Sequence, residues 1–288
     1  MSGPAETGGE RYAELHSRYQ ALSEEHDELV RQMGDQVKPF PDAGVDGFLS
    51  HFIISLEILQ GDLAGRAINF TMPPATQTVS RSDPFVYRHG GRNEVEVPLP
   101  EGCTLPSVIR EDDFITRPEG YFDAGRQVVW MQILNLDARM EHEELGPIRI
   151  ILGETLKREY PDVFQPSLGI AQALGRRGGF PSSLFFNPYA LIETRFGVFR
   201  AIHGTLAYGR ITDFPPVGTP VSIRDCIPLE NVEDVRRSGS LRAADESIEP
   251  FARLIALSHP IDVPMQVSGT EAFQFVEKGI AAAGSTGG

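Results

Sequence analysis

The sequence is poor in cysteine and in positive charge. Only two cysteines, Cys103 and Cys226, occur in 288 residues, and they are too far apart to form a CxxC pair. This excludes a disulfide framework and a cysteine-rich zinc site, and it suits a reducing compartment. Lys and Arg total 26 against 40 Asp and Glu, which gives a formal net charge of −14. Because phosphate groups would repel such a chain, the charge argues against nucleic-acid and membrane-surface partners.

Long apolar runs and the common catalytic motifs are also missing. An apolar run at residues 52–59 is interrupted by Ser55 and Glu57, and it is far shorter than the ~20 residues that a membrane-spanning helix needs. Residues 1–15 lack a basic segment followed by an apolar one, so the sequence predicts no signal peptide and a cytoplasmic protein. GxxxxGK[ST], GxGxxG, HExxH and GxSxG are all absent. The signatures of P-loop, Rossmann, metalloprotease and α/β-hydrolase proteins are therefore missing.

Residues 10–33 carry the clearest periodic pattern. The spacing of the seam positions alternates between three and four residues, as in a heptad repeat. These positions are Tyr12, Leu15, Tyr19, Leu22, His26, Leu29 and Met33. The pattern predicts an amphipathic helix, which either packs on its own domain or forms a short coiled coil between subunits. Residues 1–9 are predicted to be disordered, and the Gly- and Pro-containing residues 34–46 are predicted to be a linker.

Residues 47–283 are predicted to form a single α+β domain, followed by a disordered tail at 284–288. We expect a central, mostly antiparallel sheet, because strand-like segments dominate the middle of this region. The best candidate for a central strand is 127–136. Strands are also predicted at 198–212 and at 66–72, and Pro73-Pro74 is expected to end the last one. Residues 165–188 are expected to be a loop. Helices are predicted at 147–160, 229–237, 248–258 and 270–283.

A metal site is one hypothesis for residues 142–144 and 203. His142 and Glu144 follow the predicted central strand, and His203 lies on a later strand. Two histidines and one carboxylate form the facial triad of non-haem iron proteins, and the same ligand types also bind zinc. The competing interpretation is that His142 and Glu144 belong to a capping turn before a helix that Pro147 begins.

His203 and Arg210 are the predicted catalytic residues. In an extended chain, His203 shares a face with Ala201 and Ala207, and small residues are typical of a pocket wall. Arg210 could hold an acidic substrate through two hydrogen bonds. The alternatives are a half-buried structural histidine and, for Arg210 together with Arg200 and Tyr208, a solvent-facing sheet surface.

Arg176 and Arg177 are the predicted cofactor-binding residues. They lie in the sequence Gly175-Arg-Arg-Gly-Gly179, in which successive backbone amides and two guanidinium groups could cradle an anion. The alternative is an exposed turn without a ligand.

Two functions follow from these patterns. The first is a small-molecule enzyme or binding protein with a pocket on the sheet, in which a metal and an acidic ligand are possible components. The second is a self-assembling scaffold, whose subunits form a homo-oligomer through residues 10–33 and the apolar residues 180–186. A cavity that contains histidine and arginine is typical of enzymes, so the first function is favoured.

Overall fold

The computed structural model describes residues 37–88, 91–113, 123–201, 207–223, 226–239 and 249–265. The described residues are mostly β-strand. The strands are β1 (Gly44–Ile58), β2 (Ala67–Arg81), β3 (Phe85–Val86), β4 (Val95–Glu96), β5 (Val108–Ile109), β6 (Gln127–His142), β7 (Gly146–Leu152), β8 (Ser167–Ala173), β9 (Ser182–Asn187), β10 (Leu191–Thr194), β11 (Gly197–Ala201), β12 (Ala207–Ile211), β13 (Val221–Ile223), β14 (Ile227–Asn231), β15 (Ala252–His259) and β16 (Ile261–Met265). The helices are α1 (Gly153–Glu159), α2 (Val232–Ser238) and two short 3-10 helices at Gly61–Leu63 and Glu111–Asp113.

Fourteen strands form one antiparallel sheet that closes on itself. We use the word row for one long strand, or for two strands that follow each other along the same line. β6, for example, pairs with β7 along its second half and with β8 along its first half, so β7 and β8 form one row. The order of the rows is β1, β2, β6, β7/β8, β10/β9, β11/β12, β14/β13 and β15/β16, and pairing of β15 and β16 with β1 completes the ring. A closed sheet of eight strands has an interior that holds packed side chains or one small ligand.

Alternation along the strands directs large apolar side chains into the ring. In β1 the residues that point inward include Phe48, Phe52 and Ile54, and in β6 they include Met131 and Ile133. All five belong to the main hydrophobic cluster or line the space inside it. Burial of such a side chain contributes roughly 1.5–3 kcal/mol, so this inner face is the main source of stability.

A bulge in β2 shifts which positions of the strand point into the ring. Ile68 and Met72 are buried before Pro73-Pro74, whereas Gln77 and Val79 point inward after it. The pairing register with β1 shifts at the same level. The expectation that Pro73-Pro74 ends this strand is therefore wrong, because a bulge accommodates residues that cannot donate to the ladder.

A second layer covers the outer face of β6. The hairpin of β4 and β5 lies in this layer, and its Ile109 packs in a separate apolar cluster with Tyr87 and Trp130. The ring of Phe85 stacks parallel to that of Trp130 at a centroid distance of 6.1 Å. The sheet therefore has two apolar faces at β6, one toward the interior of the ring and one toward this layer.

The predicted α+β class is wrong, because the protein is a mostly antiparallel, closed sheet. The helix predicted at 248–258 is largely strand β15, and the one predicted at 147–160 is β7 followed by α1, with Pro147 in the strand. The helix predicted at 229–237 begins only at Val232 and ends at Ser238, because the residues before it belong to β14. The loop predicted at 165–188 contains β8 and β9. Pairing with distant strands decided these segments, and local periodicity does not contain that information.

The described part of the chain contains two α-helices of seven residues each. The predicted coiled-coil character does not fit this part of the protein, which is mostly sheet. The predicted helices at 10–33 and 270–283 and the predicted disordered ends lie outside the described residues. Across the described ranges, no helix is both long enough and apolar enough to cross a membrane.

Candidate ligand-binding cavity

The closed sheet surrounds a cavity of about 110 Å³. All eight rows contribute side chains to its wall, which is almost entirely apolar. Aromatic rings are prominent among them. They are Phe48, Phe52, Phe186 and Phe214. A concave apolar space with a few polar groups is the usual form of a small-molecule site.

An aromatic cluster forms part of this wall. The ring of Phe40 meets that of Phe180 edge to face at a centroid distance of 4.9 Å, and Phe214 lies 5.3 Å from Phe180. Phe214 and the two prolines after it line the cavity. Phe180 is only 4% exposed. The residues before β1 are thus anchored on the main domain.

Two polar side chains of the wall have an atom without a hydrogen-bond partner. Gln77 is 4% exposed, and its Oε1 has no partner within the described part of the chain. The same holds for Nε2 of His259. A buried polar atom without a partner costs about 1–3 kcal/mol. A ligand that supplied the missing hydrogen bonds would recover this free energy.

His259 is held as a neutral imidazole. Its ring stacks on Phe52 at a centroid distance of 4.2 Å, with 3° between the planes. Burial, and secondly the nearby His51, lowers the pKa of His259 to about 3, against an opposing effect of Asp262. The residue as a whole is only partly buried, but its Nε2 atom is shielded from solvent. A neutral imidazole has one donor and one acceptor nitrogen, so it can bind a neutral polar group.

The charged group of the wall, Asp46, has a partner already. Its carboxylate forms an ion pair with Arg81, whose Nε also donates to the carbonyl of Asp42 at 3.0 Å. Because this charge is compensated within the protein, the cavity favours a neutral ligand over a cation.

His142 and Glu144 lie together at the turn between β6 and β7. Nδ1 of His142 accepts hydrogen bonds from the backbone N–H groups of Glu144 (3.1 Å) and Leu145 (3.3 Å), and the Glu144 carboxylate pairs with Arg66. These contacts fit a capped turn. His203 lies outside the described residues, so the metal site stays a prediction. Within the described ranges, no group of three or more His, Cys, Asp and Glu side chains could hold a metal ion.

The alternation around His203 predicted part of the cavity wall. Ala201 and Ala207 line the cavity, as their shared face with His203 predicts. Arg210 is exposed on β12 and does not belong to the wall. Arg200 is not on a solvent-facing surface, because it is 7% exposed and its Nη2 lies 3.2 Å from the fully buried Glu230. The catalytic role of His203 and Arg210 is untested by these positions.

Arg176 and Arg177 are exposed in the turn between β8 and β9. The N–H of Gly178 donates to the carbonyl of Gly175 at 3.2 Å, which closes this turn. Neither arginine lines the interior cavity. Anion binding by this turn remains a prediction.

No family model matches the chain, and no curated protein does. Among solved structures, the chain is similar to DynF from the dynemicin biosynthesis pathway of Micromonospora chersina. The two are 14% identical with a TM-score of 0.50, over 81% of this chain and 87% of that one. At this identity the likeness concerns the fold alone.

Proposed function

We propose that the protein binds a neutral, largely apolar small molecule inside the closed sheet. The observation that carries the proposal is an apolar cavity whose wall contains two polar atoms without partners, on Gln77 and His259. The fold likeness to DynF supports it, because that protein comes from the dynemicin biosynthesis pathway.

The wall defines the chemical class of the ligand. Phenylalanine rings on β1, on β9 and in the segment after β12 favour flat, unsaturated skeletons, since aromatic pairs contribute about 0.5–1.5 kcal/mol beyond area burial. A hydroxyl or carbonyl on this skeleton would pair with Gln77 or His259. A hydroxyl can donate to Oε1 of Gln77 and also serve the imidazole. We therefore expect an aromatic or polyene skeleton with one or two oxygen substituents.

Binding is favoured over acid–base catalysis at this site. A general base works best when its pKa lies near the operating pH, whereas the pKa of His259 is lowered to about 3. Asp46 is compensated by Arg81. The polar groups of the wall therefore orient a ligand and do not take up its protons at neutral pH.

Filling the cavity tests the proposal. Ala207 is 4% exposed and lines the cavity, so Ala207→Phe places a ring in the space that the ligand needs. We expect this variant to bind the apolar fluorophore N-phenyl-1-naphthylamine at least tenfold more weakly, as measured by fluorescence titration. Ala256 is an exposed residue of β15, and Ala256→Phe is the matched control that should bind like the original protein.

Circular dichroism and thermal unfolding would verify that both variants are folded. Ala190→Phe provides a second cavity-filling variant from another part of the wall. If the folded Ala207→Phe and Ala190→Phe variants both bind the fluorophore unchanged, the ligand does not enter the cavity and the proposal is wrong.

A further inference from the structure

We propose a second ligand site on the outer face of β6, which binds a neutral cyclic amide such as a lactam or an imide. It lies under the layer that contains β5 and is separate from the cavity inside the ring. A pocket of about 320 Å³ is present there. Pro106, Ser107, Ile109, Arg110 and Asp113 line it from that layer.

Gln132 of β6 is the residue that points to a ligand. It is 1% exposed and lines this pocket, and neither Nε2 nor Oε1 has a partner among the residues that the structure describes. Its cross-strand neighbours are Ser80 on β2 and Leu168 on β8. Leu168 has no polar group, and the hydroxyl of Ser80 donates to the carbonyl of Pro98 at 2.6 Å. The amide at the bottom of the pocket is thus left for another molecule.

The geometry of an amide side chain selects its complement. Gln132 presents a donor and an acceptor side by side. A cyclic amide holds its N–H and C=O on the same side, so it can form both hydrogen bonds at once. The apolar side chains of Ile109 and Leu168, both buried, would contact the ring. A site built for hydrogen bonding rejects analogues that lack the matching group.

The mouth of the pocket favours a neutral ligand. Arg110 and Asp113 carry opposite charges, and the carboxylate of Asp113 accepts from the backbone N–H of Arg110 at 2.7 Å. The guanidinium of Arg110 lies 3.3 Å from Glu94. Because both signs are present and already have partners, the mouth attracts neither anions nor cations strongly.

A pair of probes tests this site on the full chain. We expect δ-valerolactam to bind in an NMR titration, with the largest shift changes at Gln132 and Leu168, and N-methyl-δ-valerolactam to bind at least tenfold more weakly. The Gln132→Leu variant should lose at least tenfold of the lactam affinity. It should also have a higher melting temperature than the original protein without ligand, because it removes a buried amide without partners.

Gln77→Leu is the matched control, since it removes the corresponding amide from the interior cavity. It should leave lactam binding unchanged. The proposal is overturned if Gln132→Leu binds the lactam normally, if the methylated probe binds equally well, or if Gln77→Leu is the variant that loses binding. The fluorophore test compares Ala207→Phe and Ala190→Phe, which line the interior cavity, and the lactam test compares variants of Gln132, which lines the second pocket, so the two proposals can fail independently.

Discussion

Acid should destabilise the protein through His259, and the size of the effect follows from its surroundings. In the unfolded chain this imidazole takes up a proton near pH 6.5, whereas in the fold its pKa is lowered to about 3. The unfolded state therefore binds more protons between these pH values, and the free energy of unfolding decreases as the pH falls. This loss of stability is absent well above pH 6.5 and increases progressively as the pH falls toward 3. Between the two pKa values the free energy of unfolding falls by about 1.4 kcal/mol for each pH unit. Most of the interval from pH 7 to pH 5 lies below pH 6.5, so the loss over this interval is about 2 kcal/mol.

Urea denaturation at pH 7 and pH 5 measures this loss. In His259→Phe, which keeps a ring to stack on Phe52, the decrease in unfolding free energy should be smaller by about 2 kcal/mol than in the original protein. His51→Gln is the control. It should keep most of the decrease, because burial is the first cause of the lowered pKa and His51 only the second. An equal decrease in His259→Phe and the original protein would refute the reasoning.

Two further predictions concern stability. Gly153 has φ of +67°, and a Cβ there would lie 2.2 Å from the carbonyl oxygen of Leu134, whereas Gly65 has φ of +82° and open space around it. Gly65→Ala should lower the free energy of unfolding by about 1–2 kcal/mol, from its backbone conformation alone. Gly153→Ala should lower it by about 2 kcal/mol more, as measured by urea denaturation. Equal losses in the two variants would contradict the steric argument. Arg200→Met should lower the free energy of unfolding by about 3–5 kcal/mol, because it leaves the fully buried Glu230 without its ion-pair partner. The Arg200→Met/Glu230→Gln double variant should recover part of this loss. A double variant no more stable than the single one would contradict this explanation.

The sequence predicted the strands that carry a strong local signal. Residues 127–136 are apolar and rich in β-branched side chains, and they lie in β6 as predicted. By contrast, 248–258 has apolar residues at spacings that suit a helix as well as a strand, and it became β15 because β1, β13 and β14 all pair with it. Such pairings join residues far apart in the chain, which a local pattern cannot reveal.

The cavity was predictable only in part, for the same reason. Alternation gave the inward face of Ala201 and Ala207 correctly. Gln77 was missed because it follows Pro73-Pro74, where the strand was expected to end. His259 was missed because it follows a predicted helix. For Gln77 a usable signal was present, because Gln77 and Val79 continue an alternating pattern beyond the two prolines. For His259 no local signal was present.

The pairing of β1 with β15 has a consequence for folding. Glu57 and Arg253, which face each other in this pair, are 196 residues apart. Until the segment Ala252–His259 is available, one edge of β1 lacks its ladder partner, and an unpaired edge is prone to pair with another chain. A topology dominated by such distant contacts folds slowly. Synthesis of this protein therefore includes a long period in which the ring is open and aggregation competes with its closure.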